Sequence, residues 1–326
     1  MRSRPLHAVM SVVTIVLAAG CAGAPAAETG TTPADGFPVS VESCGFTSEI
    51  KARPEHAVTM NQGATEIALA LGVEDQLAGT AYLDDAVAPQ WQAAYDSVPV
   101  IAKEYPDQET LLAAAPDLVI GSYASAFDDE AAGSRQALAE AGIASYLSPF
   151  DCGDEGAAAE TSFESVWGEI RSVATAFGAT PKAEEIVAEQ KALLVQLAGE
   201  QAGAGKTVFW YDSGDKTAFA GVGGGGPQLI LDSIGATNVF ADLDGGWADV
   251  AWEKVVAADP DVIVLADASW SSAEQKIALL EKDPVLSQLR AVKARAFVVV
   301  PFSETTPGVR LADGALHVGE QIAALG

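Results

Sequence analysis

Residues 108–121 have the sequence QETLLAAAPDLVIG, and residues 252–265 have the sequence WEKVVAADPDVIVL. Each segment places a Glu eight residues before an Asp, and each runs from a short helical pattern through a Pro-Asp pair into an apolar strand pattern. Proline does not continue a helix, so the Pro-Asp pair predicts a helix end and a turn into the strand. The recurrence of the whole segment indicates an internal repeat.

Strand-like and helix-like segments alternate on both sides of this repeat. Before its first copy, HAVTM predicts a strand and GATEIALALGV predicts a helix; after its second copy, ARAFVVVP predicts a strand and RLADGALHVGEQIAAL predicts the last helix. Strands that alternate with helices are typical of βαβ units and a mainly parallel sheet. We therefore predict an α/β protein made of two similar βα lobes.

A long helical stretch separates the two predicted lobes. It contains SFESVWGEIRSVATAFG and then PKAEEIVAEQKALLVQLAGEQAG, the longest helical pattern in the chain. Thr180 and Pro181 are a typical N-cap and first helical residue for that second helix. The predicted boundaries are 46–157 for the N-terminal lobe, 158–204 for the connecting helices and 205–326 for the C-terminal lobe.

Residues 1–20 are typical of an export signal. MRSRPLHAVM is basic, and SVVTIVLAAG is an apolar segment that is too short to cross a membrane. Cys21 follows directly, and LAAGC resembles the lipobox of bacterial lipoproteins, which implies a lipidated Cys21 at the mature N-terminus. The alternative is an ordinary secretory peptide with an incidental cysteine. Residues 21–45 are small, polar and rich in Pro and Gly, which predicts a flexible tether.

The charge balance excludes one class of partner. The chain has 18 Lys and Arg against 45 Asp and Glu, a net charge of −27. Such a surface repels nucleic acid and anionic lipid headgroups. We therefore predict a soluble domain without a nucleic-acid partner, held by its N-terminal lipid alone on the outer face of a cytoplasmic membrane.

Two cysteines, Cys44 and Cys152, remain once Cys21 is assigned to the lipid. An even remainder in an exported protein favours a disulfide, with two buried thiols as the alternative. The bridge would join the start of the folded region to the end of the first lobe.

The repeated segment, the NQGATE sequence from Asn61 and the long connecting helix together resemble the substrate-binding proteins of ABC importers, in the class that takes up ferric siderophores and cobalamin. The resemblance runs from about His56 to the C-terminus. It implies the class III periplasmic-binding-protein fold, a monomer, and an ABC permease dimer with its ATPase as partners. It also implies a protein that binds one solute, catalyses no reaction and carries no cofactor of its own.

The resemblance gives the repeated Glu a role. In that family an exposed Glu on each lobe pairs with Arg residues of the two permease subunits, and Glu109 and Glu253 occupy the matching positions. A carboxylate at a helix start is stabilised by the helix dipole and can accept a bidentate Arg. The residues alone leave open a purely local role as first-turn helix charges.

In this fold the ligand lies between the lobes, against loops at the carboxyl ends of the strands. Aromatic faces suit large planar or amphipathic ligands, and a cation beside them suits a ligand carboxylate or phosphate. A core or surface role is the alternative for each candidate. The expected ligand-binding residues are Asn61, Gln62, Tyr82, Lys103, Tyr105 and Tyr123 in the first lobe, and Tyr211, Trp247, Trp270 and Arg310 in the second.

The sequence favours neither a bare metal ion nor catalysis. Only three His occur, and His56 and His317, which follow the signal, do not supply the spacing of a zinc or manganese site. GVGGGG at 221–226 matches G-x-G-x-x-G, but such a match occurs easily in a glycine run, and we favour a close backbone approach to ligand there. No G-x-S-x-G elbow and no Ser-His or Cys-His arrangement is evident.

We therefore expect an extracytoplasmic solute-binding component of an ABC importer that captures a ferric siderophore, cobalamin or a similar large organic chelate or cofactor. WYDSG and DPDVIVL in the second lobe also resemble an actinobacterial branch of the family assigned to a precursor of the deazaflavin coenzyme, which would use the aromatic residues and Arg310. A cell-surface sensor or adhesin of the same fold, and an exported enzyme, are the remaining alternatives.

Overall fold

The computed structural model of the protein describes residues 36–326, which form two α/β lobes joined by a pair of helices. The predicted signal peptide and Cys21 lie outside these residues. An antiparallel hairpin of β1 (Val39–Ser43) and β2 (Phe46–Ile50) comes first, and alternate residues of both strands turn inward. The predicted tether boundary at residue 45 is therefore wrong, because the alternation that begins at Val39 builds a packed strand.

The hairpin is fastened to the first lobe at its turn. Cys44, in that turn, forms a disulfide with Cys152, with the two Cα atoms 5.3 Å apart. Beside this bridge the buried guanidinium of Arg135 donates to Ser43 O at 3.0 Å and pairs with Glu155 at 3.0 Å. The start of the folded chain is thus attached to a segment more than a hundred residues later.

The first lobe is a five-stranded parallel sheet with the strand order β5-β4-β3-β6-β7. Each strand leads into a helix or a short turn, as the alternating sequence predicts. Its strands are β3 (Ala57–Met60), β4 (Leu77–Ala81), β5 (Val100–Ala102), β6 (Leu118–Gly121) and β7 (Ala144–Leu147), and its helices are α1 (Gln62–Leu71), α2 (Gln92–Tyr95), α3 (Gln108–Ala113) and α4 (Arg135–Glu140).

Two helices, α5 (Phe163–Phe177) and α6 (Thr180–Glu200), connect the lobes. Ser162 begins α5 with a capping box, and Gly178 ends it in the left-handed conformation with φ at 69°. Helix α6 starts one residue earlier than predicted, because Thr180 is already helical and caps nothing. Helix α6 contacts α1 and α5 on one side and two helices of the second lobe on the other.

The second lobe is a six-stranded mixed sheet. Its main strand order is β11-β9-β8-β12-β13, with β10 beside the start of β8. Strand β9 runs antiparallel to both of its neighbours, β8 and β11. The turn after Ser213 that joins β8 to β9 is too short for the helical crossover that a parallel strand needs. The strands are β8 (Thr207–Ser213), β9 (Ala218–Gly221), β10 (Thr237–Asn238), β11 (Trp247–Val250), β12 (Val262–Asp267) and β13 (Phe297–Pro301), and the helices are α7 (Gly226–Ser233), α8 (Trp252–Ala258), α9 (Ala273–Lys282), α10 (Arg290–Ala294) and α11 (Leu311–Leu325).

The aspartate that ends each repeated segment ties two neighbouring strands together. Asp117, just before β6, accepts a hydrogen bond from the backbone of Glu55 at 2.7 Å, ahead of β3. Asp261, just before β12, accepts from the Thr207 backbone at 2.9 Å, at the start of β8. Both aspartates hold the beginning of a strand pair, so the Pro-Asp half of the repeat has the same structural role in both lobes.

The two lobes share one apolar core. A single cluster of buried side chains runs from Ile67 in α1 through Phe177 in α5 and Val187 in α6 to Trp210 in β8 and Ile230 in α7. Because protein interiors are close-packed, such a continuous core restricts sliding of one lobe against the other. Within residues 36–326, no helix is both long and apolar enough to span a membrane.

Candidate functional site

A cleft of about 580 Å³ lies between the lobes and is lined by residues from both. The first lobe contributes the segments after β3, β4, β6 and β7, and the second contributes the end of β8, parts of β9 and β11 and the segments after β12 and β13. The carboxyl ends of parallel strands therefore converge on the cleft, which is where ligands bind in open α/β sheets. Among the lining residues are Gln62, Asp84, Ser122, Tyr123, Ser148, Phe150, Asp151, Glu169, Asp212, Phe219, Trp247, Trp270, Phe302 and Ser303.

Aromatic pairs form the second-lobe wall of the cleft. Trp247 stacks on Phe219 with ring centroids 5.9 Å apart, because these residues lie on the antiparallel neighbours β11 and β9. Trp270 meets Phe302 edge to face at 4.8 Å and is 53% exposed. Half-exposed aromatic rings that face a cavity offer a large contact area with little loss of rotamer freedom.

Carboxyl groups supply most of the cleft's polar character. Burial raises the pKa of Glu169 to about 7, opposed only by a hydrogen bond with Ser148. Burial and the neighbouring Asp85 raise the pKa of Asp84 to about 6. Burial also raises the pKa of Asp212, which a hydrogen bond from Ser213 and the charge of Lys276 partly offset. The cleft therefore disfavours the ionised form of its own acids.

Four of the ten expected ligand-binding residues line the cleft, namely Gln62, Tyr123, Trp247 and Trp270. Gln62 Oε1 accepts a hydrogen bond from Asp84 N at 3.1 Å, so Gln62 also shapes the loop beside it. Burial raises the pKa of Tyr123, so its hydroxyl stays protonated and is available as a hydrogen-bond donor.

Three of the others hold the loops behind the cleft. Asn61 is buried; its Nδ2 donates to the Tyr105 hydroxyl at 2.9 Å, and its Oδ1 accepts from Ser122 N at 3.3 Å. Tyr82 packs edge to face on Tyr105 with centroids 4.6 Å apart. The structure therefore places Asn61, Tyr82 and Tyr105 outside the cleft lining, where their mutual contacts hold the loops behind it.

Tyr211 and Lys103 also lie away from the cleft. Tyr211 is 1% exposed and packs against Phe209 and Trp252 in the core of the second lobe. Side chains alternate faces along a strand, so Asp212, the next residue in β8, faces the cleft instead. Lys103 is exposed and does not line the cleft, because the short strand β5 lies at the outer edge of its sheet.

Arg310, the residue expected to pair with an anionic ligand group, instead forms buried ion pairs that link the two lobes. Its guanidinium pairs with Glu66 of the first lobe at 3.1 Å and with Glu304 of the second at 2.6 Å, and the residue is 5% exposed. Burial alone would raise the pKa of Glu304, but hydrogen bonds from His317 and Arg310 outweigh it and hold that pKa below its usual range. Two carboxylates therefore occupy Arg310, which does not line the cleft.

Several residues at the cleft were not expected from the sequence. Phe150, Phe219 and Phe302 follow or lie within strands, as the expected aromatics do. Glu169 carries a signal that could have identified it: it lies on the same face of α5 as Val166, Ile170 and Val173, all buried. A carboxyl group on the buried stripe of a helix requires a partner or a function.

The glycine run at 221–226 is fixed by contacts with the protein backbone. A Cβ at Gly226 would lie 2.1 Å from Thr305 O, and one at Gly223 would lie 2.2 Å from Ala241 O. Gly224, Gly225 and Gly226 also line the cleft. The backbone of the glycine run therefore lies close to the backbone of neighbouring loops of the protein. This packing places the glycine run at the edge of the cleft.

The family model described as "Periplasmic binding protein" matches residues 58–304. The chain belongs to this family. Its match spans both lobes, the connecting helices and every segment that lines the cleft between Gln62 and Ser303. Members of the family bind solutes rather than transform them.

Known relatives of this periplasmic binding protein cover nearly its whole described length. A periplasmic binding protein from Veillonella parvula is 32% identical with a TM-score of 0.75, over 88% of this chain and 97% of that one. The ABC-type Fe3+-hydroxamate transport system structure from Saccharomonospora viridis is 24% identical, with a TM-score of 0.73 over 87% and 99%. The uncharacterised ABC transporter substrate-binding lipoprotein YvrC of Bacillus subtilis is 27% identical over 292 residues, 88% of this chain and 86% of its own. The predicted two-lobe class III fold is confirmed.

The repeated glutamates occupy equivalent surface positions in this periplasmic binding protein. Glu109 lies in the first turn of α3 and Glu253 in the first turn of α8, and both are exposed. In each helix one apolar residue, Leu111 or Val255, is fully buried two residues later and anchors the turn. Among residues 36–326, no group of three or more His, Cys, Asp or Glu side chains could hold a metal ion.

Proposed function

We propose that this periplasmic binding protein is the extracytoplasmic solute-binding component of an ABC importer. The observation that carries this proposal is the cleft between the lobes, lined from both sides by aromatic and polar side chains at the carboxyl ends of the strands. The similarity to YvrC, an ABC transporter substrate-binding lipoprotein, supports it. Cys21 would anchor the protein through its lipid.

A large organic chelate or cofactor suits the cleft best. Its volume of about 580 Å³ and its aromatic wall are appropriate to part of a ferric siderophore, a cobalamin or a similar molecule. The precursor of the deazaflavin coenzyme ranks lower, because its phosphate would need a cation. Arg310, the residue expected for that purpose, is occupied by Glu66 and Glu304.

Ligand binding is tested by a thermal-shift panel on the mature domain. The panel contains cobalamin, ferric hydroxamate and catecholate siderophores, haem and deazaflavin precursors. A ligand at a hundred times its dissociation constant stabilises the folded state by about 2.7 kcal/mol, which is a shift of a few degrees. We expect one clear stabilising ligand and loss of that shift in Trp247→Ala. Trp91, which is outside the cleft, supplies the control Trp91→Ala. A shift that both variants retain would contradict binding in this cleft.

Docking to the permease is tested at the repeated glutamates. Each carboxylate that meets an Arg contributes about 1.5–3 kcal/mol. We therefore expect Glu109→Ala and Glu253→Ala each to weaken stimulation of the permease–ATPase complex in proteoliposomes about 10-fold or more, and the double variant about 100-fold or more. Ligand binding should be unchanged, because both residues lie outside the cleft.

Glu274 is a matched control for this experiment, since it is also an exposed glutamate in the first turn of a helix but lies outside the repeat. Glu274→Ala should stimulate the complex like the unaltered protein. Full stimulation by the Glu109 and Glu253 double variant would show that the two carboxylates serve only their own helices.

A further inference from the structure

The side chains that can carry charge at the cleft are of one sign. Its ionisable lining residues other than Tyr123 are all carboxylic acids, Asp84, Asp151, Glu169 and Asp212, and no Lys, Arg or His of the described chain lines it. Because 580 Å³ is ample for a bound organic molecule, this charge acts directly on whatever occupies the space. An anionic ligand would bring like charge onto these acids, which disfavours it.

Three of these acids, Asp84, Asp151 and Glu169, form no ion pair within residues 36–326. Glu169 is 6% exposed. Asp84 has a buried Oδ2 without a hydrogen-bond partner. Asp212 differs, because Lys276 lies behind it and partly balances its charge. A carboxylate held in a cavity without a counter-ion is unfavourable, and a cation brought by a ligand removes that cost.

The aromatic wall favours the same kind of ligand. The rings of Trp247 and Phe219 and of Trp270 and Phe302 line the cleft opposite the first-lobe loops. The face of a tryptophan attracts a cation, especially one that has lost its water, and also packs against an apolar ring or alkyl body. Carboxylates and indole rings in one cavity are thus complementary to a molecule that is both positively charged and apolar.

We propose that the cleft selects an organic cation, in which a protonated amine or quaternary nitrogen is carried on a ring-bearing or chelate body. Glu169 and Asp84 hold the positive charge, and the two aromatic pairs hold the body. This inference rests on the proposed solute-binding function and narrows its ligand class. It favours a chelate of net positive charge, or a metal-free amine, over a catecholate complex, a haem with its propionates or a phosphate ester.

The test compares ligands that share one body and differ chiefly in charge. Tryptamine, N-acetyltryptamine and indole-3-acetate share one ring and are cationic, neutral and anionic, while a ferric trihydroxamate with a pendant ammonium group and its N-acetylated form are a chelate pair. Binding is measured by titration calorimetry at pH 7.5 and low salt. We expect the cationic member of at least one set to bind at least 10-fold tighter than its neutral form, and no binding of indole-3-acetate. The indole set and the chelate pair distinguish a free amine from a charged chelate.

Two variants locate the effect in the cleft. Glu169→Gln should reduce the preference for the charged member to about 3-fold or less, and it should fold normally because glutamine resembles the protonated acid. Asp249 is exposed on the same strand as Trp247 but does not line the cleft, so Asp249→Asn removes an equal charge from the protein and should keep the preference.

The outcomes separate this inference from the proposed function. Equal binding of charged and neutral members, preference for the anion, or a charge preference unchanged in Glu169→Gln would overturn the inference. In each of these cases, loss of binding in Trp247→Ala would still support the proposal that the cleft binds a solute. Failure of all five compounds to bind would also overturn it. The thermal-shift panel would then decide separately whether the proposed function stands.

Discussion

Replacing Arg310 with methionine is expected to lower the free energy of unfolding by about 3–5 kcal/mol, because the change leaves a buried carboxylate without its cation. Glu66 would lose the one cation that pairs with it in the described chain, whereas Glu304 would keep His317 at 2.7 Å. The loss should appear as a lower midpoint in urea with an unchanged slope.

Arg290 is a matched control for this prediction. It also pairs with two carboxylates, Asp259 and Asp261, but its side chain is 56% exposed, so Arg290→Met should cost about 1 kcal/mol or less. Equal effects at Arg310 and Arg290 would show that burial of the interlobe pair does not matter.

A second variant separates the unpaired charge from the lost packing. The double variant Glu66→Gln with Arg310→Met should recover part of the loss, because the neutral amide introduced in place of the Glu66 carboxylate keeps Gln62 and Ala88 as hydrogen-bond partners. A double variant no more stable than Arg310→Met alone would show that the buried charge of Glu66 is not what destabilises the protein.

Removing the disulfide by Cys44→Ala and Cys152→Ala together is expected to lower the free energy of unfolding by about 4 kcal/mol. The bridge closes a loop between residues separated by 108 positions, and the entropy that a cross-link removes from the unfolded chain grows with loop length. Denaturant unfolding of the double variant and of the oxidised and reduced unaltered protein measures the effect.

Reduced unaltered protein provides the control, since it keeps both cysteines and loses only the bond. Its stability should match that of the double alanine variant within about 1 kcal/mol, because both have lost the same cross-link. If oxidised protein and double variant unfold at the same denaturant concentration, the cross-link contributes nothing to stability.

The fold was largely predictable because its signals are local. Helix α5 is marked by a capping serine at Ser162 and a stop at Gly178, and the Pro-Asp pairs mark the two strand starts. The antiparallel strands of the second lobe and the packed hairpin were missed for a related reason. Whether the chain crosses over or turns back after a short strand depends on which distant strand it pairs with, and the local sequence pattern carries no information about that pairing.

The site was predictable only where position along a strand decided it. Trp247 and Trp270 were found because they flank strand ends that face the cleft. Tyr211 was expected at the cleft but lies in the core, because one step along a strand reverses the face of the sheet. Arg310 could not have been assigned at all from its surroundings in the sequence, since its partner Glu66 is 244 residues away.

The disulfide between Cys44 and Cys152 also determines how this protein can be labelled. Both cysteines of residues 36–326 are in that bond, so cysteines introduced elsewhere in this range are its only free thiols under non-reducing conditions. Lys103 in the first lobe and Lys216 in the second are exposed and outside the cleft, so cysteines there can carry two spin labels. The distance between those labels, measured with and without a bound ligand, would show whether the separation of the lobes changes on binding.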